Sequence, residues 1–185
     1  MSKVYQIIYA DPPWRYDDPK GNDPAMGGIT YPTLSIEELS ALPVGSLAAD
    51  NCLLFLWATM PKLPQALEVM AAWGFQHKTT AFVWVKQNPS GKGIYSGLGH
   101  YTNGNAELCL LGRRGKFVRA SKSVKQIVLA PRGRHSAKPP EVRDRIVQLC
   151  GDVPRVELFA REKAEGWDCL GFDIDGKDIR EALAP

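Results

Sequence analysis

A tetrapeptide near the start of the chain combines residue types that can hold an amino group: Asp11-Pro12-Pro13-Trp14. A carboxylate and a backbone carbonyl each accept one N–H bond, so Asp11 and Pro12 together could orient a planar NH₂ group. An aromatic amine such as that of adenine is a poor nucleophile, because its lone pair is delocalised, and it must be positioned to react. The two prolines fix φ near roughly −65° and stiffen the turn. Trp14 would offer an aromatic face to the base.

Asp11 is expected to orient such an amine rather than to deprotonate it. An ordinary aspartate has a pKa of about 3.9, far too low to remove a proton from a neutral aromatic amine. The carboxylate would instead stabilise the positive charge that develops as the nitrogen attacks, and it could accept the proton afterwards.

Short apolar segments alternate with helical patterns along the chain. The predicted strands are residues 5–10, 53–57, 80–85, 106–111, 156–160 and 168–172. Because parallel strands need crossover connections, this order predicts an α/β, Rossmann-like fold: a mostly parallel sheet with helices on both faces. Ligands of such sheets bind beyond the carboxyl ends of the strands, and Asp11, Arg161 and Asp173 all follow predicted strand ends.

Three helices have recognisable ends. Ser35 and Glu38 have the capping-box spacing, which predicts a short helix through Leu42 that a proline then stops. A second helix ends at Gly74, and its predicted apolar face is Leu63, Leu67, Met70 and Trp73. A third begins at a Pro-Pro-Glu sequence and ends at Gly151, and its predicted face is Val142, Ile146 and Leu149. Residues 88–105 contain five glycines and no periodic pattern, which predicts a loop.

Charge is divided unevenly along the sequence. Residues 113–138 include nine basic and no acidic side chains, whereas the rest of the chain has 14 basic against 20 acidic side chains, a net charge of −6. Such asymmetry is typical of a polyanion-binding surface, although a run of like charges is also often only a solvated face. Four of these cations are predicted to contact nucleic acid: Lys116, Arg119, Lys122 and Lys125.

The composition is that of an ordinary globular domain. At 185 residues, with 44% hydrophobic and 23% charged residues, the chain fits a single domain. It contains no apolar run near the roughly 18 residues that span a bilayer, so we expect no membrane partner. The first residues lead directly into a predicted strand without the features of a secretory signal, and we therefore expect a cytoplasmic protein.

Cysteines and histidines are scattered through the sequence. The cysteines are Cys52, Cys109, Cys150 and Cys169, and the histidines are His77, His100 and His135. Their spacing gives neither a CxxC metal pair nor a dense disulfide framework, so we expect reduced core cysteines and no bound metal.

Several motifs in a particular order resemble a known family, the permuted, DPPW-type adenine methyltransferases. This family includes the eukaryotic messenger-RNA adenosine methyltransferase and many small bacterial and phage DNA adenine methyltransferases. The resemblance covers nearly the whole chain, and besides residues 11–14 it rests on residues 31–35, 54–59, 83–86, 105–110, 135–139, 157–161 and 166–171. In this family the catalytic motif precedes the cofactor-binding half, which is also the order found here.

The resemblance implies the domain organisation and the reaction. It implies one methyltransferase domain over residues 1–185, with a catalytic half about 1–112, a basic loop segment about 113–138 and a cofactor-binding half about 135–175. It further implies that a methyl group passes from S-adenosylmethionine to the exocyclic N6 amine of adenine.

The resemblance also assigns roles to individual residues. It makes residues 11–14 catalytic, Tyr31 a wall of the adenine pocket, Lys138 a contact to the carboxylate of the cofactor and Arg161 a contact to its ribose. Asp173 has the chemistry to accept hydrogen bonds from ribose hydroxyls, although Phe172-Asp173 stands where the messenger-RNA enzyme has an Asn-Gln pair. The implied cofactor contacts are Ala10, Asp11, His135, Ser136, Lys138, Glu157, Arg161 and Asp173.

DNA is the predicted substrate, as single strands or as a duplex with a flipped-out adenine, because the compact form without accessory domains resembles the bacterial and phage members. RNA is an alternative, as are a non-catalytic nucleic-acid-binding subunit and methylation of a protein amide. The intact tetrapeptide argues against the second alternative, and an Asn-Pro-Pro-Tyr pattern in the related protein enzymes argues against the third. Recognition is expected to come from residues 17–30, residues 88–105 and the basic segment, and a homodimer is left open.

Overall fold

The computed structural model describes residues 3–16, 32–97, 101–133 and 137–183. Tyr31, His135, Ser136 and the predicted recognition segment 17–30 lie outside these residues. The strands are β1 (Tyr5–Ala10), β2 (Ala48–Ala58), β3 (Gln76–Gln87), β4 (Ala106–Arg114), β5 (Ile127–Pro131), β6 (Arg155–Leu158) and β7 (Asp168–Leu170). The helices are α1 (Ile36–Ser40), α2 (Val44–Leu47), α3 (Leu63–Ala72), α4 (Glu141–Cys150), α5 (Phe172–Asp175) and α6 (Ile179–Ala182).

The seven strands form one sheet in the order β5-β3-β4-β2-β1-β6-β7. β1 pairs in parallel with both β2 and β6, β6 with β7, and β3 with β5. Only β4 is antiparallel to its neighbours β2 and β3 in this sheet. The predicted α/β, Rossmann-like fold with a mostly parallel sheet is therefore confirmed, whereas the reversed direction of β4 was not predicted.

Both faces of the sheet are covered, which explains why the central strands are continuously apolar. In β2, every residue from Cys52 to Ala58 is buried. On one face, the sheet packs against Leu39 of α1 and against Met70 and Trp73 at the end of α3. On the other face, it packs against the buried side of α4, including Ile146.

The predicted helix ends agree with the structure, but one apolar face does not. Ser35 and Glu38 form both hydrogen bonds of a capping box, and Gly74 and Gly151 follow α3 and α4 with positive φ angles. On α3 the fully buried residues are Ala66, Val69 and Met70. Leu67 was predicted to face the core, but it is 36% exposed. The side of α3 that contacts the sheet carries Ala66, Val69 and Met70 instead.

The predicted basic loop segment 113–138 is not one loop. Its first two residues, Arg113 and Arg114, end β4, and its middle part contains β5. β5 was missed because it is short and lies at the edge of the sheet, where only Val128 is buried and the usual apolar alternation is weak. Between β4 and α4, the segment therefore runs from the amino ends of the parallel strands to their carboxyl ends.

All four cysteines are free, as expected, and three of them are buried while Cys169 is half-buried. Within the described residues, no helix is both long enough and apolar enough to cross a membrane.

Candidate active site

The predicted catalytic tetrapeptide begins where the sheet topology creates a crevice. β1 lies between β2 and β6, and the chain continues from β1 to β2 on one side and only later reaches β6 on the other. Connections that leave in opposite directions open a crevice at the carboxyl ends of the strands. Asp11 is the first residue after β1, at the mouth of this crevice.

Backbone hydrogen bonds hold the tetrapeptide in a tight turn. The Trp14 N–H donates to the Pro12 carbonyl at 2.9 Å, and the Leu34 N–H donates to the Pro13 carbonyl at 2.9 Å. A carbonyl has two lone pairs, so Pro12 keeps one acceptor position beyond this turn. The turn is therefore rigid, and it does not consume the acceptor that the sequence predicts for an amine.

Trp14 is more deeply buried than expected for a freely accessible stacking surface. Its side chain is 5% exposed, and its indole N–H donates to the Trp57 carbonyl at 3.1 Å. The Trp57 indole N–H in turn donates to the hydroxyl of Tyr9 at 2.7 Å. Trp14 thus connects the turn to β2 and contributes to the wall of a cavity.

Asp11 is part of a buried chain of alternating charges. The Lys138 Nζ lies 2.6 Å from Asp11 Oδ2 and 3.3 Å from Glu107 Oε2. Glu107 also pairs with Lys86 at the end of β3. The Lys138 side chain is only 11% exposed, and its ammonium also lies 5.5 Å from the centroid of the Trp57 ring. This arrangement compensates two carboxylates and two ammonium groups that would be costly to bury singly.

Burial and the neighbouring charges shift the pKa values of this cluster. Burial raises the pKa of Asp11 above its ordinary value, and Lys138 opposes part of that rise. Burial would also raise the pKa of Glu107, but Lys138 and Lys86 together lower it. Burial tends to lower the pKa of Lys138, yet the two carboxylates outweigh this effect and raise it. Lys138 is thus held as a cation between two carboxylates of different basicity.

Two cavities meet at Asp11 and Arg161, which line both. The first lies over β6 and β7 and has Pro13, Phe159 and Asp173 among its lining residues. The second lies over β2 and β4, and its further lining residues include Trp14, Tyr16, Trp57, Glu107 and Lys138. A group bound in one cavity can therefore approach a group bound in the other beside the Asp11 carboxylate.

The residues of the first cavity fit a nucleoside-containing cofactor. Apolar side chains such as Phe159 and Phe172 can cover an aromatic ring, and the Asp173 carboxylate can accept hydrogen bonds from ribose hydroxyls. Asp173 makes no hydrogen bond or ion pair with any other part of the chain that the structure describes. Asp178 also lines this cavity, but both of its oxygens accept hydrogen bonds from Arg180. Asp173 is therefore the better-placed acceptor.

Two predicted cofactor contacts line neither cavity. Ala10 is fully buried and pairs with Leu56 and Leu158 on either side. Both carboxylate oxygens of Glu157 accept hydrogen bonds from Arg143, at 2.6 and 3.0 Å. Ala10 thus lies in the sheet interior and Glu157 holds α4 against β6, and the cofactor contacts of both residues stay predictions.

Three of the predicted phosphate contacts lie near the amino ends of the parallel strands, at the opposite end of the sheet from Asp11: Lys116, Arg119 and Lys122. Because β4 is antiparallel, its first residues lie beside the end of β2 and its last residues beside the start of β2. The Lys116 N–H donates to Asn51, and the chain at residues 120–121 donates to the Leu149 carbonyl near the end of α4. Asp11 is level with Trp57 of β2, whereas Lys116 is bonded to Asn51, so these predicted phosphate contacts are separated from Asp11 by about six strand positions, roughly 20 Å at 3.4 Å per residue.

Lys125, the fourth predicted contact, precedes β5 and lies beside α4, where its carbonyl accepts a hydrogen bond from Arg145. The structure therefore brings Asp11, Pro12, Pro13, Trp14, Lys138, Arg161 and Asp173 together around the two cavities, but not Lys116, Arg119, Lys122 or Lys125.

Glu107 and Lys86 were missed because each lies within or at the end of an apolar strand pattern. A charged residue in the second position of a buried strand was the available signal for Glu107, which is 7% exposed. The pairing of this residue with Lys138 could not be inferred, because it depends on the reversed direction of β4.

Gly171 brings the two strands beneath the first cavity into close contact. A Cβ at this position would lie 2.6 Å from Ala160 N and closer still to the Ala160 carbonyl oxygen. Gly171→Ala should therefore force the β6 and β7 ends apart, destabilise the protein by roughly 1–3 kcal/mol and weaken cofactor binding. Thermal unfolding and calorimetry measure both effects. Gly104→Ala, where a Cβ meets nothing within 4 Å, is the matched control, and equal stability of the two variants would contradict the prediction.

The fold and the site together define a class of protein. A mostly parallel sheet has a carboxylate and an ammonium at its switch point, a cavity lined by Phe159, Phe172 and Asp173 on one side and a second, aromatic-lined cavity on the other. This arrangement is consistent with a Rossmann-like transferase that binds a nucleotide-like cofactor and an aromatic acceptor next to each other.

Comparison with known proteins identifies the family. Residues 5–173 match the MT-A70 family. The chain is 36% identical to the type II methyltransferase M.MunI of a Mycoplasma species, over 96% of this chain and 81% of that protein. It is 30% identical to the N(6)-adenosine-methyltransferase catalytic subunit METTL3 of Homo sapiens, over 93% of this chain and 28% of that protein. It is also 30% identical to an MT-A70-like N(6)-adenosine-methyltransferase of Arabidopsis thaliana, over 97% of this chain and 25% of that protein.

The chain belongs to the MT-A70 family and is a methyltransferase with a Rossmann-like fold. This finding confirms the family predicted from the motifs. The chain spans only about a quarter of the length of the adenosine methyltransferases that it matches, whereas it spans most of M.MunI.

Proposed function

We propose that this protein is an S-adenosylmethionine-dependent DNA methyltransferase that modifies the exocyclic N6 amine of adenine. The observation that carries the proposal is the position of Asp11, whose carboxylate borders both cavities next to the Lys138 ammonium. The similarity to the type II methyltransferase M.MunI, which extends over most of both chains, supports DNA as the substrate. The adenosine methyltransferases among the relatives support adenine as the base and make RNA the second candidate.

The cofactor would occupy the first cavity and reach Asp11. Asp173 would accept hydrogen bonds from its ribose and Arg161 would donate to the ribose, Phe159 and Phe172 would cover its base, and Lys138, from the adjoining second cavity, would pair with its carboxylate. When bound, S-adenosylmethionine supplies an electrophilic methyl group. The mixture of apolar cover and charge at the two ends of the crevice is what such an amphipathic cation with a carboxylate requires.

The target adenine would occupy the second cavity. Asp11 and the remaining lone pair of the Pro12 carbonyl would accept the two N–H bonds of the exocyclic amine and so fix the direction of its lone pair. As the nitrogen becomes positive, the Asp11 carboxylate stabilises that charge and then accepts a proton. The raised pKa of Asp11 makes it a better proton acceptor than an exposed aspartate.

Tyr16 is the aromatic residue of the second cavity that can offer its ring to the base. Unlike Trp14 and Trp57, it is only half-buried, and its hydroxyl lies 2.7 Å from the Thr59 hydroxyl, which fixes the ring. We assign the stacking face to Tyr16 and the rigid wall behind it to Trp14. Stacking of a base on an aromatic side chain contributes about 1–3 kcal/mol.

Asp173→Ala should weaken S-adenosylmethionine binding about 5- to 10-fold, because an exposed carboxylate that accepts from ribose hydroxyls contributes roughly 1 kcal/mol. Calorimetry measures this change directly. Asp175→Ala is the matched control, since Asp175 lies on the same short helix and does not line the cavity. Unchanged affinity in the Asp173 variant would refute the placement of the ribose.

The proposed function is tested by transfer of a labelled methyl group to matched single- and double-stranded DNA and RNA oligonucleotides, followed by mass spectrometry of the nucleosides. From DNA, we expect N6-methyl-2′-deoxyadenosine. Preferential transfer to RNA would select the second candidate, and transfer to neither would refute nucleic-acid methylation. Single-stranded substrate avoids the few kcal/mol needed to flip a base out of a duplex, so it should be methylated at least as well.

A further inference from the structure

We propose that the strand flanking the target nucleotide binds to a surface formed by the β3–β4 connection and the end of β5. This surface, called the hairpin rim below, consists of residues 87–97, 101–105 and 131–133. Its partner is the phosphodiester backbone of a nucleic acid. The inference rests on the proposed function, and it replaces the distant cations of the basic segment as the main phosphate contacts.

The hairpin rim is an ordered extension of the sheet. Tyr95 N–H donates to the Lys86 carbonyl at 2.8 Å, and Gly97 and Gly104 exchange two backbone hydrogen bonds at 3.1 and 3.0 Å. The Asn88 side chain donates to the Lys92 carbonyl at 3.0 Å. These contacts make the connection a β-hairpin that projects from the carboxyl edge of the sheet, the edge where Asp11 lies.

An arginine that directly follows β5 is held against this hairpin by an aromatic ring. The Arg132 guanidinium lies 4.6 Å from the centroid of the Tyr95 ring, and its Nη1 donates to the Tyr95 hydroxyl at 2.9 Å. Arg132 is exposed and pairs with no carboxylate among the described residues. An arginine that is oriented without being neutralised keeps donors for a planar phosphate contact, and its entropy cost on binding is already reduced.

The charges at the carboxyl ends of the strands favour binding of a polyanion over β3 and β5 rather than over β6 and β7. The hairpin rim has no aspartate or glutamate, and it exposes Lys92 and Arg132. The other side of the crevice, over β6 and β7, has five acidic residues, Glu162, Glu165, Asp173, Asp175 and Asp178, against four basic ones, Arg161, Lys163, Lys177 and Arg180, a net charge of −1. The hairpin rim has two basic residues and no acidic one, a net charge of +2, so a phosphate backbone that approaches the second cavity is favoured over β3 and β5.

The hairpin rim is also continuous with the reacting centre. Lys86, the last cation of β3 before the rim, pairs with Glu107, and Glu107 shares Lys138 with Asp11. Tyr101, which is fully exposed, and Ile94, which is 49% exposed, provide apolar surface for neighbouring bases on the same hairpin. A base in the second cavity and a backbone on the rim can therefore belong to one strand.

The double variant Lys92→Ala with Arg132→Ala tests this inference against an amino-edge control, Lys116→Ala with Arg119→Ala, which removes the same number of charges. Binding of fluorescent single-stranded DNA and RNA oligonucleotides is measured against salt concentration, without cofactor. The rim variant should bind both about 10-fold more weakly and flatten the slope of log affinity against log salt by about 1.4–1.8. The control should keep the wild-type slope, and thermal unfolding verifies that both variants are folded.

The outcomes separate this inference from the proposed function. A rim variant with wild-type affinity and slope overturns the inference, and so does a larger loss in the amino-edge control. In methyl transfer, the loss in the rim variant should appear as a higher KM for the oligonucleotide, because Lys92 and Arg132 bind the strand and do not touch Asp11. A wild-type protein that binds nucleic acid with the expected salt slope but methylates none would refute the proposed function and leave the rim in place. Tyr95→Phe should retain most of the binding, whereas Tyr95→Ala should lose several-fold, since the ring positions Arg132.

Discussion

Replacement of Asp11 by asparagine is expected to lower kcat for methyl transfer at least ~10²-fold, while the affinity for S-adenosylmethionine changes little. Asparagine keeps the size of the side chain, but it cannot stabilise the charge that develops on the amine or accept its proton. Its amide also turns one acceptor into a donor, which opposes the N–H bonds of the substrate. Lys138 retains Glu107 as an ionic partner in this variant, so the site should remain assembled.

Single-turnover transfer of a labelled methyl group, combined with calorimetry of cofactor binding, measures the two effects separately. Asp173→Asn is the control with the opposite pattern, since it should weaken cofactor binding and leave kcat at saturating cofactor nearly unchanged. An Asp11 variant with kcat within about threefold of the wild type would exclude Asp11 as the orienting carboxylate.

Lys138→Met is expected to have the second-largest effect, on both cofactor binding and the pH profile. The methionine retains the apolar stem but loses the ammonium that would pair with the carboxylate of the cofactor, so affinity should fall at least ~10-fold. The same ammonium opposes the rise in the pKa of Asp11 that burial causes. Without it, the pKa of Asp11 rises further, and because activity requires the ionised carboxylate, activity is lost at a higher pH as the solution is acidified.

The measurement is kcat against pH at saturating cofactor and oligonucleotide. Lys86→Met is the matched control, because Lys86 pairs with Glu107 and makes no contact with Asp11, and its acid limb should stay near that of the wild type. Lys138→Arg keeps a cation and should restore the position of the limb if the protein folds normally. An acid limb that does not move in Lys138→Met would show that Lys138 does not tune Asp11.

The sequence predicts local features of this fold better than long-range ones. β1, the capping box of α1 and the glycine ends of α3 and α4 follow from residues that are close together in the chain. The direction of β4 depends instead on which strand it pairs with, and no short pattern encodes that choice. For the same reason, the basic residues of the segment 113–138 could be counted from the sequence, but their division between the two ends of the strands could not be predicted.

The candidate site divides in a similar way. Asp11 was found because its neighbours form a rare motif, and Lys138 because a motif resemblance pointed to it. Glu107 lies within a motif that assigns it no role, and the pair of Tyr95 with Arg132 lies in none; the contacts of each are with partners 21 or more residues away. For Glu157 a resemblance predicted a ligand contact, whereas its pairing with Arg143 emerges only from the fold.

The antiparallel direction of β4 also has consequences for how target preference can diversify. Because β3 and β4 are joined as a hairpin, both ends of their connection open on the edge of the sheet where Asp11 lies. Insertions beyond the paired Gly97 and Gly104 would leave every strand register intact, and each doubling of loop length costs only about 0.6 kcal/mol in closure entropy. New recognition segments can therefore be inserted at this one position while Asp11 stays in place, and chimeras that exchange only this hairpin are a practical route to altered target preference.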